Sequence, residues 1–332
     1  ALNETNSMWP SIGTKQGWNA ELVPPEPIYE ARKGETARQV AQLDLERHRR
    51  MDEEITSRAV GFIKRQASSA RPFFAYVSLK LLHMPSMPNR AFTGRTGNGD
   101  WADCLSELDY RTGQILDAIR EAKIEENTVV IFASDNGPEA THPWQGDSGP
   151  WRGTYFTAME ASLRAPFIIR WPGRVPAGSV SNEIVHIVDL YTTLARVGGA
   201  EVPKDRSIDG IDQLNFFLGK QAESSRQGFP AYVADRLTAG KWRNWKMHLI
   251  RQDHMYDIPQ KLPLPRIINL LTDLKEERDL LAYSNWVAHP LMKLMRDFEA
   301  TLETDPPIKV GTPDPYLPLA PAGRRDRSAP RP

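Results

Sequence analysis

Asp135 and Asn136 stand side by side at the end of an apolar run, within Ser134-Asp135-Asn136-Gly137. A carboxylate next to an amide carbonyl offers oxygen, which hard cations such as Ca²⁺ and Mg²⁺ take more readily than Zn²⁺ does. Lys80 and His83 follow an earlier apolar run. Beside a hard cation, an ammonium and an imidazole suit an anionic substrate: positive charge offsets the anion, and the imidazole exchanges a proton. The plain reading of Asn136-Gly137 is a turn dipeptide. Both groups nevertheless close apolar runs, and open parallel sheets collect ligands at the carboxyl ends of their strands. Two donors fall short of the roughly 6–8 oxygens that Ca²⁺ takes, so further ligands are expected elsewhere.

The elements that must position these residues are read from periodicity. Phe73-Phe74-Ala75-Tyr76-Val77-Ser78-Leu79 is a compact aromatic and β-branched run, expected as a buried strand that delivers Lys80 and His83. Trp101, Cys104, Leu105, Leu108, Ile115 and Ile119 recur at helical spacing, and Thr128-Val129-Val130-Ile131-Phe132-Ala133 is a second buried strand ending at Asp135. Strand, helix and strand in this order predict a right-handed crossover in a parallel sheet. A helix is expected over 43–66, a third strand over 166–171 and a helix over 184–197. Beyond about residue 225, short runs at 231–233 and 245–250 predict a small antiparallel sheet, with a last helix over 285–302. The expected fold class is α/β, a mostly parallel sheet flanked by helices, with a small C-terminal antiparallel sheet plus helix. Expected domains are an irregular proline-bearing segment 1–42, an α/β domain 43–225, an α+β subdomain 226–311 and a disordered tail 312–332.

Composition narrows the class. The 332 residues carry 42 Lys+Arg and 42 Asp+Glu, and this balance argues against a partner such as nucleic acid or an anionic membrane. A single cysteine, Cys104, excludes an internal disulfide. No apolar run approaches the roughly 18 residues of a membrane span. No basic, apolar and small-residue series opens the sequence, so no signal peptide is expected within it.

Several blocks, in order, resemble the sulfatase family of the alkaline phosphatase superfamily. They are Pro72-Phe73-Phe74-Ala75-Tyr76-Val77-Ser78, His83-Met84-Pro85, Ser134-Asp135-Asn136-Gly137-Pro138-Glu139, Gly149-Pro150-Trp151-Arg152-Gly153 and Arg170-Trp171-Pro172-Gly173. Asn269-Leu270-Leu271-Thr272-Asp273-Leu274-Lys275-Glu276-Glu277 is similar to the family's closing segment, a strand leading into an acidic turn. The resemblance implies hydrolysis of small anionic sulfate esters at a site with one divalent cation, Ca²⁺ or else Mg²⁺, and a formylglycine nucleophile. It makes Asp135 and Asn136 metal ligands. It makes His83, with Lys80, the catalytic pair that binds sulfate or protonates the leaving oxygen, and it favours a periplasmic or secreted setting. His142, just past the metal turn, and Arg152 are the candidate substrate-binding residues.

The sequence also departs from the family's pattern. Formylglycine is made from Cys or Ser in Cys/Ser-x-Pro-x-Arg, and Cys104 is followed by Leu105, Ser106, Glu107 and Leu108, which fails the motif. Ser86-Met87-Pro88-Asn89-Arg90 matches it literally but sits among blocks that resemble the family's downstream half. Tyr155 stands where the family usually has a sulfate-binding lysine, a charge that Arg152 or Lys80 would have to replace. The expectation is a fragment that has part of the site without its nucleophile, so it should be poorly stable and inactive alone. The alternatives are a phosphomonoesterase, phosphodiesterase or phosphonate hydrolase of the same superfamily, and a non-catalytic homologue. Two-zinc phosphatases typically place His where Asn136 stands, which favours the sulfatase.

Overall fold

Asp44 starts the first long helix. Its carboxylate accepts the Arg47 N–H at 2.8 Å and its carbonyl accepts His48 N–H at 2.8 Å, satisfying donors that a helix N-terminus leaves open. This helix, α1, spans Leu45–Ala67 with Lys64 and Arg65 in its last turn, where cations complement the helix dipole. The second long helix, α2, spans Asp100–Glu121. The structure is a computed structural model describing residues 27–32, 34–69, 71–141, 146–309 and 311–312. It divides into two units, and both long helices contribute to each. The first unit takes the described residues up to Ala59, those from Tyr76 to Gln114 and those from Pro307 onward; the second takes Val60–Ala75 and Ile115–Pro306.

In the first unit β1 (Pro27–Glu30) pairs antiparallel with β2 (Arg38–Gln42), so part of the segment expected to be irregular is a strand pair. Pro27 opens β1, a position where its missing N–H costs the ladder nothing. Asp103, in the first turn of α2, accepts N–H bonds from Gly94 at 2.6 Å and Thr96 at 2.8 Å. The loop before α2 is thereby tied to the helix.

In the second unit β3 (Val130–Ala133) lies antiparallel to β4 (Phe167–Arg170), Val130 opposite Arg170 and Ala133 opposite Phe167. Ile63, Ala118 and Ile119 form the adjoining core, with Phe73, Ile115 and Val130 packed against it. The run over 73–79 corrects the expected buried strand. Its backbone has no strand partner among the described residues, Phe74 is 71% exposed and Tyr76 82% exposed. Phe73, Val77 and Leu79 turn inward while Phe74, Tyr76 and Ser78 face out, which is the alternation of an extended segment with one covered face. A continuous apolar run predicted two covered faces. The parallel crossover drawn from that strand is corrected with it, because the described partner of β3 is antiparallel.

Beyond β4 come α3's neighbours in sequence: α3 itself (Glu160–Leu163) precedes β4, then α4 (Asp189–Val197) and α5 (Leu214–Phe217) follow. The C-terminal antiparallel sheet was expected, and it has four strands in sequence order: β5 (Gly228–Val233), β6 (Arg236–Trp242), β7 (Trp245–Arg251) and β8 (Gln260–Asn269). Helix α6 (Ala288–Thr304) packs on it through Leu291 and Met295, with Val287 just before it, against Met247 and Ile267. The helix pattern of 285–302 lands within three residues of α6, which follows a short 3₁₀ turn at Asn285–Val287.

Candidate active site

The turn carrying Asp135 and Asn136 is an extension of β3. Ser134 continues the pairing by donating its N–H to the Pro166 carbonyl at 3.2 Å, and its hydroxyl donates to the Asn136 carbonyl at 3.2 Å. Asn136 spends its amide N–H on the Gly137 carbonyl at 2.8 Å, so its side-chain oxygen is the atom left for a cation. Asp135 is exposed beside it. Gly137 donates its N–H to the Ser162 carbonyl at 2.8 Å, and a Cβ there would lie 1.6 Å from the Ala161 carbonyl oxygen. Only glycine lets the turn approach α3 this closely. Gly137→Ala is therefore expected to destabilise the second unit by about 3 kcal/mol, the upper range for forced overpacking. Urea unfolding measures this, and a loss below about 1 kcal/mol would show that the turn yields freely.

The segment before α3 wraps the same turn. Tyr155 N–H reaches the Pro138 carbonyl at 3.1 Å, and Ala161 N–H reaches the Arg152 carbonyl at 3.0 Å. Gly153, at φ +101°, makes this possible: a Cβ there would stand 2.3 Å from Met159 Cβ. Arg152 is committed to carboxylates, with Asp253 Oδ2 at 2.6 Å and Glu277 Oε1 at 3.5 Å. Arg251 also reaches Asp253 Oδ2, at 2.8 Å. Arg152 thus moors the loop 251–257 between β7 and β8. Met255 N–H completes the attachment on Thr154 Oγ1 at 2.9 Å. His142 lies outside the described residues.

Lys80 and His83 belong to the first unit. Lys80 donates its N–H to Asp52 Oδ1 at 2.6 Å, and its ammonium meets His48 Nε2. Burial pushes the Lys80 ammonium below its usual range, partly offset by Asp52. Burial also holds the Asp52 carboxyl above its own range. His48 is pushed down to about 3, by burial first and then by the charges of Lys80, His83 and Arg49. Leu82 adopts φ 82° and His83 N–H returns to the Lys80 carbonyl at 3.2 Å, which turns the exposed imidazole out of the segment. Its Nδ1 lies 2.6 Å from the Met84 carbonyl, which can only accept. Nδ1 therefore carries a proton.

The second unit brings Asp135, Asn136 and Arg152 onto linked segments, and the first brings Lys80 and His83 onto one turn. Sequence reasoning missed His48 and Asp52 around Lys80, and Asp253 around Arg152. His48 and Asp52 are four apart on α1, a spacing that places them on one helix face and was the available signal. Among the described residues no group of three or more His, Cys, Asp or Glu side chains makes a ready metal cluster. Asp135 and Asn136 fit a hard cation by donor type, as an oxygen pair and part of a set.

A protein-family model described as Sulfatase matches residues 8–200 of this chain. The chain belongs to the sulfatase family. Sulfatases use a metal ion and a formylglycine nucleophile and act on sulfate esters. Among curated relatives, the N-acetylgalactosamine-6-sulfatase of Canis lupus familiaris is 41% identical over 192 residues, covering 57% of this chain and 36% of that protein. An N-acetylgalactosamine-6-O-sulfatase of Bacteroides thetaiotaomicron is 32% identical over 180 residues, covering 51% of this chain and 35% of the relative. The chain thus spans about a third of the length of these curated sulfatases. The solved PsFucS1 sulfatase from Pseudoalteromonas sp. superposes with a TM-score of 0.81 at 28% identity, covering 92% of this chain and 63% of that one. That likeness bears out the α/β, alkaline-phosphatase-like fold class.

Neither candidate for the sulfatase nucleophile fits. Cys104 fails the formylglycine motif and is fully buried on α2, its thiol pushed up to about 12 chiefly by burial, which makes it a core side chain. Ser86 is 1% exposed and its hydroxyl has no hydrogen-bond partner among the described residues. The arginine of its literal motif, Arg90, points elsewhere and is paired with Glu46 at 2.6 Å. No helix among the described residues is long and apolar enough to cross a membrane.

Proposed function

We propose that this chain supplies the metal turn and the leaving-group end of a sulfate monoester hydrolase acting on a small sulfated sugar. The observation that carries the reading is the Asp135–Asn136 pair, held at the end of β3 with the Asn136 amide nitrogen already engaged. Asp135 and Asn136 would hold one divalent cation, Ca²⁺ ahead of Mg²⁺, because the donors are hard oxygens on a turn without a rigid octahedral cage. Bound there, the cation offsets negative charge on the sulfate oxygens.

His83 serves the leaving group. The Met84 carbonyl fixes the proton on Nδ1, so Nε2 is the nitrogen that exchanges a proton with the departing sugar oxygen. Lys80 acts behind it as a positioning residue, closing the turn through its carbonyl and adding positive charge. Arg152 acts as the anchor of the 251–257 loop, since two carboxylates already balance its charge. The names of the dog and Bacteroides relatives support a sulfated amino sugar as substrate, and the family supports a periplasmic or secreted setting.

Calcium titration of the full chain by calorimetry tests the metal turn. One site is expected, abolished in Asp135→Ala and weakened at least about tenfold in Asn136→Ala, the loss of one ligand being worth about 1.4 kcal/mol or more. Calcium binding that survives Asp135→Ala overturns the assignment.

A further inference from the structure

We propose that His254 and Tyr256 form the wall of this site on which the substrate's sugar ring packs, so that they set selectivity for the leaving group; the inference rests on the sulfate-ester reading above. Tyr256 is 66% exposed, so its ring contributes little to the core. It is nevertheless held firmly. Its hydroxyl lies 3.2 Å from Thr141 Oγ1, its N–H donates to His254 Nδ1 at 3.3 Å, and its ring lies beside the His254 ring with centroids 5.4 Å apart. The rest of the loop is bonded to match. His254 N–H reaches Asp257 Oδ2 at 2.9 Å, Asp257 N–H returns to the His254 carbonyl at 3.0 Å, and Gln252 donates to the carbonyls of His254 and Met255.

A short bonded path places this wall by the metal turn. Met255 N–H meets Thr154 Oγ1, the neighbouring Tyr155 N–H meets the Pro138 carbonyl, and Pro138 is two residues past Asn136. Arg152 and Arg251, both gripping Asp253, fix the base of the loop. The half-buried His254 ring and the exposed Tyr256 ring, tilted 38° to each other and held in one geometry, present aromatic surface at small entropic cost. A sugar ring offers the complement, a face of polarised C–H groups against the negative face of an aromatic ring. A bare sulfate offers none, and this separates recognition of the sugar from recognition of the anion.

The test measures binding of N-acetylgalactosamine 6-sulfate and of inorganic sulfate to the full chain with calcium present. Tyr256→Ala is expected to weaken the sulfated sugar about tenfold and leave inorganic sulfate within about twofold, while Tyr256→Phe, which keeps the ring, stays near wild type for both. Sugar affinity unchanged in Tyr256→Ala, or equal losses for sugar and sulfate, overturns the wall while leaving the sulfate-ester reading intact. Failure of the wild-type chain to bind either ligand removes that reading, and the wall with it.

Discussion

Glu160→Gln is expected to lower the stability of the second unit by about 3–5 kcal/mol, the cost of leaving buried charges without their partner. Glu160 is fully buried at the start of α3 and receives three cations. Lys241 Nζ and Arg164 Nε each lie 2.7 Å from Oε2, and Lys246 Nζ lies 2.7 Å from Oε1. Lys246 is itself buried, and it also contacts Glu276 Oε2 at 3.1 Å and the Ala158 carbonyl at 2.9 Å. Glu276 accepts His248 Nε2 at 2.6 Å and the Glu160 N–H at 2.7 Å, which closes the network on itself. Burial alone would raise the Glu160 carboxyl, but Lys246 and Lys241 overcome it and hold the group far below the carboxylate range. Removing its charge leaves the buried Lys241 ammonium without its carboxylate and leaves Lys246 with Glu276. Urea unfolding followed by far-UV circular dichroism measures the loss. Adding Lys241→Met to Glu160→Gln should recover part of it, because the second change removes one stranded charge. A loss under about 1 kcal/mol, with no coupling between the two sites, would show that the network carries no net stability.

These residues also show what a sequence can and cannot yield. Glu276 falls within a block that resembles the family, and the i, i+4 spacing of Glu160 and Arg164 announces their pair. Lys241 and Lys246 carry no such signal. They alternate with apolar residues on β6 and β7 and read as the wet face of a strand, yet both point into the interior. Only a partner far away in sequence could reveal that. The same limit produced the error at 73–79. An apolar run says that a segment is covered, and the ladder that makes it a strand depends on residues elsewhere. The turn at Asp135 and Asn136 was legible because its two adjacent oxygen donors and its glycine are all local. Arg152 was legible as a cation but not as an anchor, since Asp253 and Glu277 are more than a hundred residues on. Local chemistry is written in short motifs, and charge pairing across the fold is not.

The first unit should lose stability as pH falls from about 6.5, and His48 should be the cause. A histidine pushed down to about 3 in the folded chain stays neutral where the unfolded chain, with a value near 6.5, takes up a proton. Between those values the unfolded state binds the extra proton, so acid favours unfolding by about 1.4 kcal/mol per pH unit. The contribution is fully present above about pH 6.5 and is lost progressively toward pH 3. From pH 6.5 to 5.0 the expected loss is roughly 2 kcal/mol by the same relation. Asp52 acts in the opposite sense: burial raises its carboxyl above 3.8, so acid favours the folded state through that group. Comparison with a variant that lacks the imidazole therefore isolates the histidine. The amides of Lys80 and Leu81, which donate to Asp52 at 2.6 and 3.4 Å, report the local opening by hydrogen exchange once corrected for intrinsic rate. In His48→Gln the pH slope over this window should fall by more than half, because the variant keeps a polar group facing Lys80 and has nothing to titrate. A slope that persists in His48→Gln would assign the acid sensitivity to another group and leave His48 as ordinary packing beside Lys80.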